Sequence, residues 1–486
     1  MVGWLNKLLG KAPRSETDGV DRGSRDPAEA EPLGQLEELL AGEPSEARWS
    51  SAGAWLESAP DSTQARAVER GLAWLDVWPD EQRCFVLYYP EQLESLPAWW
   101  RWVRRLQSHE STLSPEVLAV LLGAASEAAA TQLVLPHAQL DADGAGRLAA
   151  WPGLERLTHL ELPHNELGPA GAGALADSNA PVALRVLDLS ANGVGDEGVE
   201  AIAPWLPGSS LEVLGLEFDE LGDAGARVLA QALGGASLRE LLLDGNELSA
   251  AGVVALARCA GLAGLMRLGL GDCDLSDRRG IEALVQADLA PGLQRLQLWG
   301  CMLGDRGIDA LLEPGRLRCM SDLDLMSNQL TSAAAQRLAN SAELETLRVL
   351  TLCHNRLRAA GAVALASSGA LGGLATLDLA DNELGDEGAV ALAAASALGG
   401  LVSLDLSRNQ IGPEGATALA DSRLYARLER LRLRDNPIGS QGAASLAAAL
   451  PRTRLRQLEV SAADVGAEGL ARLKGAAGGT SCELLH

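Results

Sequence analysis

The feature that most constrains this chain is an internal repeat. Leu184-Arg-Val-Leu187-Asp-Leu189-Ser-Ala-Asn192-Gly-Val194 matches Leu374-Ala-Thr-Leu377-Asp-Leu379-Ala-Asp-Asn382-Glu-Leu384 position for position, and both run on into Gly-Asp-Glu-Gly and an Ala/Leu segment. The ninth position of successive copies falls at Ala138, Asn165, Asn192, Asp219, Asn246, Cys273, Cys301, Asn328, Asn355, Asn382, Asn409, Asn436 and Ala463. The step is constant along the series, except that Cys301 stands one place later than the period after Cys273. Thirteen copies, counting two degenerate ends, cover 130–476. One such unit cannot bury its apolar face alone, so copies must stack and the end copies must be atypical.

Each copy carries two periods. The last two leucines of Leu-x-x-Leu-x-Leu alternate with polar residues, which predicts a short parallel strand with one buried face. The amide at the ninth position can satisfy backbone groups of the following bend that no sheet ladder reaches, so Asn165, Asn192, Asn246, Asn328, Asn355, Asn382, Asn409 and Asn436 are expected to form a structural ladder. Six places on, most copies have a glycine (Gly171, Gly198, Gly225, Gly252, Gly307, Gly361, Gly388, Gly415, Gly442, Gly469) before a segment such as Ala389-Val-Ala-Leu392-Ala-Ala. Ala and Leu favour helix, and small residues let helices pack close to the sheet and to one another. This use explains 53 glycines beside 2 phenylalanines and 3 tyrosines.

The pattern L-x-x-L-x-L-x-x-N/C-x-L followed by a helix resembles the ribonuclease-inhibitor class of leucine-rich repeats over 130–476, the larger part of the chain. The resemblance implies an α/β horseshoe solenoid, with parallel strands inside and helices outside, and a protein-binding role without catalysis or cofactor. Some members of similar architecture regulate small GTPases by presenting an edge of the array. That alternative is kept beside an enzyme with its site in the N-terminal region, which the resemblance leaves untouched.

Composition narrows the function. A formal charge of −25 and a pI near 4.7 disfavour a nucleic-acid partner, whose phosphates would be repelled, and favour a basic protein partner. Seven scattered cysteines without a CxxC pair signal neither a disulfide framework nor zinc, and fit reduced thiols in a cytoplasm. No apolar run approaches a membrane span, so stable insertion is not expected. High Ala, Gly and Leu usage hints at a GC-rich bacterial origin.

Before the repeats, Val2, Leu5, Leu8 and Leu9 share one helical face, read as packing or a frayed terminus, with a membrane surface as the alternative. Residues 1–32 are thus a short helix and a polar linker, 33–129 a small all-α domain, 130–476 the array, and 477–486 a tail. The all-α domain holds Trp49, Trp55, Trp74, Trp78, Trp99, Trp100 and Trp102, and Pro97–Leu106 adds Arg101, Arg104 and Arg105, read as Trp-rich packing ahead of a cationic binding helix.

Polar positions between the buried leucines form rows across the inner face. The seventh-position row runs Pro163, Ser190, Glu217, Asp244, Gly271, Trp299, Met326, Cys353, Ala380, Ser407, Arg434. Trp299, Met326 and Cys353, with His354, Asp324 and Asp378 around them, form the candidate partner-binding patch, because consecutive apolar side chains with an acidic rim on a solvated face resemble a binding hot spot. The competing reading is that Trp299 folds down over its neighbours and covers backbone. Asp188, Asp405, Asp272 and Asp381 extend the acidity, and Arg430, Arg432 and Arg434 form a basic stripe, solvated or paired with Asp405 and Asp435.

Other chemistry is set aside. His137 and His164 occupy equivalent positions near His159 and Glu161, but local duplication explains them without a metal. Cys353 and His354 are adjacent in sequence and diverge as a catalytic pair. Gly234-Gly235 and Gly372-Gly373 lack the Lys-Ser/Thr of a phosphate loop, and are expected at positive φ where helices give way to strands.

Overall fold

The computed structural model describes residues 36, 40, 44–58, 83–87, 103–108, 112–178, 183–287, 292–314 and 317–486. The chain forms two units, one of residues 1–83 with 96–103 and one of 84–95 with 104–486. In the first, helix Glu46–Ser58 buries Trp49 and Ala52, and Leu36 and Leu40 are buried as well. Trp74, Trp78, Trp99, Trp100, Trp102, the linker and the first eleven residues lie outside the described residues.

The second unit is built on one parallel sheet of 16 strands in chain order. They are β1 (Cys84–Leu87), β2 (Arg105–Ser108), β3 (Gln132–Val134), β4 (His159–Glu161), β5 (Val186–Asp188), β6 (Val213–Gly215), β7 (Glu240–Leu242), β8 (Arg267–Gly269), β9 (Arg295–Gln297), β10 (Asp322–Asp324), β11 (Val349–Thr351), β12 (Thr376–Asp378), β13 (Ser403–Asp405), β14 (Arg430–Arg432), β15 (Gln457–Glu459) and β16 (Glu483–Leu485). From β2 to β15 leucines at the strand centres stack in register, with Leu323 paired to Leu296 and Leu350, and are almost wholly buried. From β2 onward a helix lies between each strand and the next, and the sheet-plus-helix repeat is the expected α/β solenoid.

Helix packing follows from the glycines. A Cβ at Gly198 would lie 3.1 Å from Ala172 Cβ on the preceding helix, and one at Gly442 would lie 2.8 Å from Ala416 Cβ, so a larger residue would push the layers apart. Helices also cap one another across repeats. Asp386 Oδ1 accepts the N–H groups of Gly412 at 2.7 Å and Gly415 at 2.8 Å, at the start of helix Pro413–Ala420 in the next copy. Gly412 has no side chain to do this itself, so a residue of the preceding copy supplies the cap.

The sheet reaches beyond 130–476 in both directions, past the expected boundary at 129 and into the segment 477–486 read as a tail. β1 and β2 fall inside the segment read as all-helical, and β16 pairs with β15 through Leu458 and Leu484. Neither early strand carries the leucine motif, and tryptophans dominate the surrounding pattern. Leu106 nevertheless stands one repeat length before Leu133 and pairs with it.

The backbone bends in a place the glycine pattern did not reveal. Gly234-Gly235 and Gly372-Gly373 lie in 3-10 turns, Leu233–Gly235 and Ala370–Gly373, and none has positive φ. A left-handed residue instead recurs at the eighth position of twelve copies, from His137 (φ 51°) through Phe218 (56°), Gly245 (71°) and Gly300 (70°) to Asp435 (55°). Ten of these twelve positions, 137 to 435, are not glycine. The strain of about 1 kcal/mol each is tolerated because the ninth-position side chain holds the bend.

Candidate functional site

The ninth-position amides run through the bends as a ladder. Asn355 Nδ2 donates to Leu325 O at 3.0 Å and Leu352 O at 2.9 Å, while its Oδ1 accepts the N–H groups of Asn328 at 3.0 Å and Leu330 at 2.9 Å. Asn165, Asn192, Asn246, Asn328, Asn382, Asn409 and Asn436 are buried in the same role. Cys301 substitutes with a thiol 3.0 Å from Leu270 O, and Cys273 makes only longer contacts, 3.7 Å and 3.8 Å. Asp219 accepts the N–H groups of Asn192 (2.9 Å) and Val194 (3.2 Å) through Oδ1, leaving Oδ2 buried without a hydrogen bond. Burial drives its carboxyl up to about 7, against the opposing effect of those N–H donors.

On the inner face the fifth-position aspartates bind their own chain. Asp188, Asp324, Asp378 and Asp405 each accept, through Oδ1, the N–H two residues on, at 2.9 to 3.0 Å. They terminate their strands as well as charging the surface. Burial raises the carboxyls of Asp324 and Asp378, and in Asp378 the neighbouring Asp405 adds to the effect.

The proposed patch is only partly assembled. Trp299 and Met326 are half-buried, and Cys353 is buried at 6% exposure with its thiol toward Asp378 and pushed up by desolvation. The indole of Trp299 leans over Gly271 of the preceding copy, where a Cβ would lie 2.1 Å from Nε1. This is the backbone-covering arrangement, and it adds an aromatic neighbour. His354 turns out at the bend and pairs with Asp381 at 2.7 Å, so Cys353 and His354 do not face each other as nucleophile and base.

Phe218, which the inner-face rows left out, meets Trp299 with ring centroids 6.3 Å apart and planes tilted by 33°. Three copies separate them, about 14 Å of sheet at the usual strand spacing. The gap closes because each ring leans inward over a glycine: a Cβ at Gly245 would lie 2.2 Å from the Phe218 ring. Under this bridge sits Asp244, 1% exposed, with Oδ1 accepting the Gly271 N–H at 2.7 Å. Glu217 stands beside it. Burial first, then the charge of Asp244 and a shared hydrogen bond with it, raise Glu217 to about 7, and Asp244 is raised by its own burial. The two carboxyls therefore hold a proton between them near neutrality.

A shallow depression lies alongside, lined by Arg267, Arg295, Gln297, Asp322, Asp324 and Val349. Farther along, Arg432 bridges Asp405 at 3.5 Å and Glu459 at 3.2 Å, while Asp435 pairs with Arg408 at 3.0 Å. His137 and His164 stack at 4.4 Å, and Glu161 is engaged by Arg105 at 3.5 Å. Among the described residues, no group of three His, Cys, Asp or Glu is placed to hold a metal, and no helix is long and apolar enough to cross a membrane.

This ladder of strand, Asn bend and helix defines the class. Segments 156–176, 183–203, 374–393, 401–420 and 428–447 match the Leucine Rich repeat family model, in keeping with the repeat architecture of the sheet and helices. No curated protein matches it. Among solved structures it is similar to a chain of the Rad7–Elc1 complex of yeast, at 18% identity and TM-score 0.48, covering 85% of this chain and 97% of that one. It is also similar to TLR13 in its complex with ssRNA13, at 19% identity and TM-score 0.40, covering 76% of this chain and 56% of that one. Neither likeness bears on function.

Proposed function

We propose that this protein is a non-catalytic interaction scaffold of the cytoplasm that grips a protein partner on the inner face of its array, around Trp299, Met326, Asp324 and Asp378. The observation that carries this reading is the aromatic bridge: Phe218 remains 52% exposed while meeting Trp299, with Glu217 and Asp244 beside them. Aromatic side chains set among carboxylates supply the apolar anchor and polar rim of a hot spot. Six of the seven cysteines are buried or half-buried, in keeping with reduced thiols held inside the fold. The surrounding carboxylates favour a basic partner, mainly through steering and orientation.

The test is affinity capture from native lysate with the full chain and with a Trp299→Ala/Met326→Ala variant whose circular dichroism matches. Proteins lost only from the variant place binding on this face. Capture of the same proteins by both moves the interaction elsewhere.

A further inference from the structure

We infer that Glu217 and Asp244, roofed by Phe218 and Trp299, form a receptor for one arginine side chain of the protein partner; this deepens the scaffold reading and rests on it. Four observations converge on a planar cation. Asp244 is almost wholly buried, and its Oδ2 has no hydrogen bond of sound geometry, with only the Glu217 carboxyl and the Trp299 indole N–H directed at this carboxylate. The nearest guanidinium does not supply one, because Arg267 is committed to Gln297 Oε1 at 3.1 and 3.3 Å and to Glu240 at 3.5 Å. Phe218, leaning over Gly245 yet 52% exposed, offers a ring on which a guanidinium can stack. Gly245 and Gly271 clear the floor beneath both rings, where any side chain would collide with them.

A guanidinium fits these features better than an ammonium. Its flat face matches the Phe218 ring while its fork of N–H donors can reach two carboxylates, whereas a lysine presents a strongly hydrated point charge. On binding, the proton held between Glu217 and Asp244 leaves to solvent and the arginine replaces it. The charged and titratable groups facing the pair are Asp188 on β5, Arg267 on β8, Asp324 on β10 and the buried thiols of Cys273 and Cys301, with the Trp299 indole N–H directed at Asp244. Affinity therefore rises with pH through about 7, where Glu217 becomes ionised.

The probe is acetyl-Gly-Arg-Gly-amide, titrated into the full chain with the tryptophan indoles labelled by nitrogen-15 and the Trp299 signal assigned by its loss in Trp299→Phe. The expected result is a saturable shift of that signal, about tenfold weaker with the lysine peptide and absent with the citrulline peptide. Glu217→Gln weakens the arginine response by about tenfold. Gly271→Ala, which displaces the indole without touching a charge, does the same. An unmoved indole, an equal response to citrulline, or unchanged binding by Glu217→Gln overturns the assignment. If the arginine peptide is silent while Trp299→Ala/Met326→Ala still loses captured proteins, the arginine receptor falls and the scaffold stands. If both tests are negative, both fall.

Discussion

Two stretches of the inner face, β6–β9 and β10–β14, share one fold and one repeat length but differ in how strictly they obey the repeat. From Asn328 to Asn436 the ladder is unbroken, aspartates terminate β10, β12 and β13, and no aromatic side chain interrupts the rows. Between β6 and β9 the ninth position passes through Asp219, Cys273 and Cys301, while glycines replace side chains at 215, 269 and 271. Phe218 and Trp299 meet there, and the Glu217–Asp244 pair is buried there. Regular copies supply rigidity, and relaxing the rules in consecutive copies opens room for a shaped, charged notch.

The contrast is broken most severely at the ladder. Asn355→Ala removes three donated and two accepted buried hydrogen bonds, and is expected to cost about 3–5 kcal/mol in urea unfolding. Cys301→Ala, at the equivalent position in the irregular stretch, loses two weak thiol contacts and should cost about 1 kcal/mol. Equal costs at both positions would remove the distinction between the two stretches.

Asp219→Asn sharpens it in the opposite direction by restoring the ladder. Because burial raises the folded carboxyl above its unfolded value, protonated Asp219 is harmless at low pH, and its stability contribution is lost as pH rises toward about 7. The variant should match the wild type near pH 4 and be more stable by roughly 2–3 kcal/mol above pH 7, as read from urea midpoints at the two pH values. A gain independent of pH would mean that Asp219 is ionised throughout.

A smaller effect tests the bridge. In a cycle of Phe218→Leu and Trp299→Leu, the two rings should couple by about 0.5–1 kcal/mol. Additive losses would show that the rings merely lie near each other. The smallest effect belongs to the far end: Arg434→Ala, which breaks an exposed pair with Glu459, should leave the urea midpoint unchanged.

Much of the architecture was readable in advance because it is local. Leucine spacing dictates which face of each strand is buried, the ninth-position amide answers a fixed set of bend carbonyls and N–H groups, and both recur in copy after copy. Trp299 could be found in its row because it stands where polar residues are expected. Phe218 was missed because its row position is the bend, and nothing local says that a side chain there will lean across the sheet.

The sequence by itself determined the repeat, its strand and helix, the Asn ladder and the acidity of the face, all consequences of short-range periodicity and composition. Tertiary structure alone decided that β1, β2 and β16 would join a sheet whose motif they lack, since pairing to a neighbouring strand can impose an extended backbone on a weak sequence. It alone brought Phe218 to Trp299 across three copies, and enclosed Asp244 beneath them. The physical reason is that a solenoid turns sequence distance into lateral distance: residues three copies apart become neighbours only when the intervening positions are empty enough for side chains to lean together.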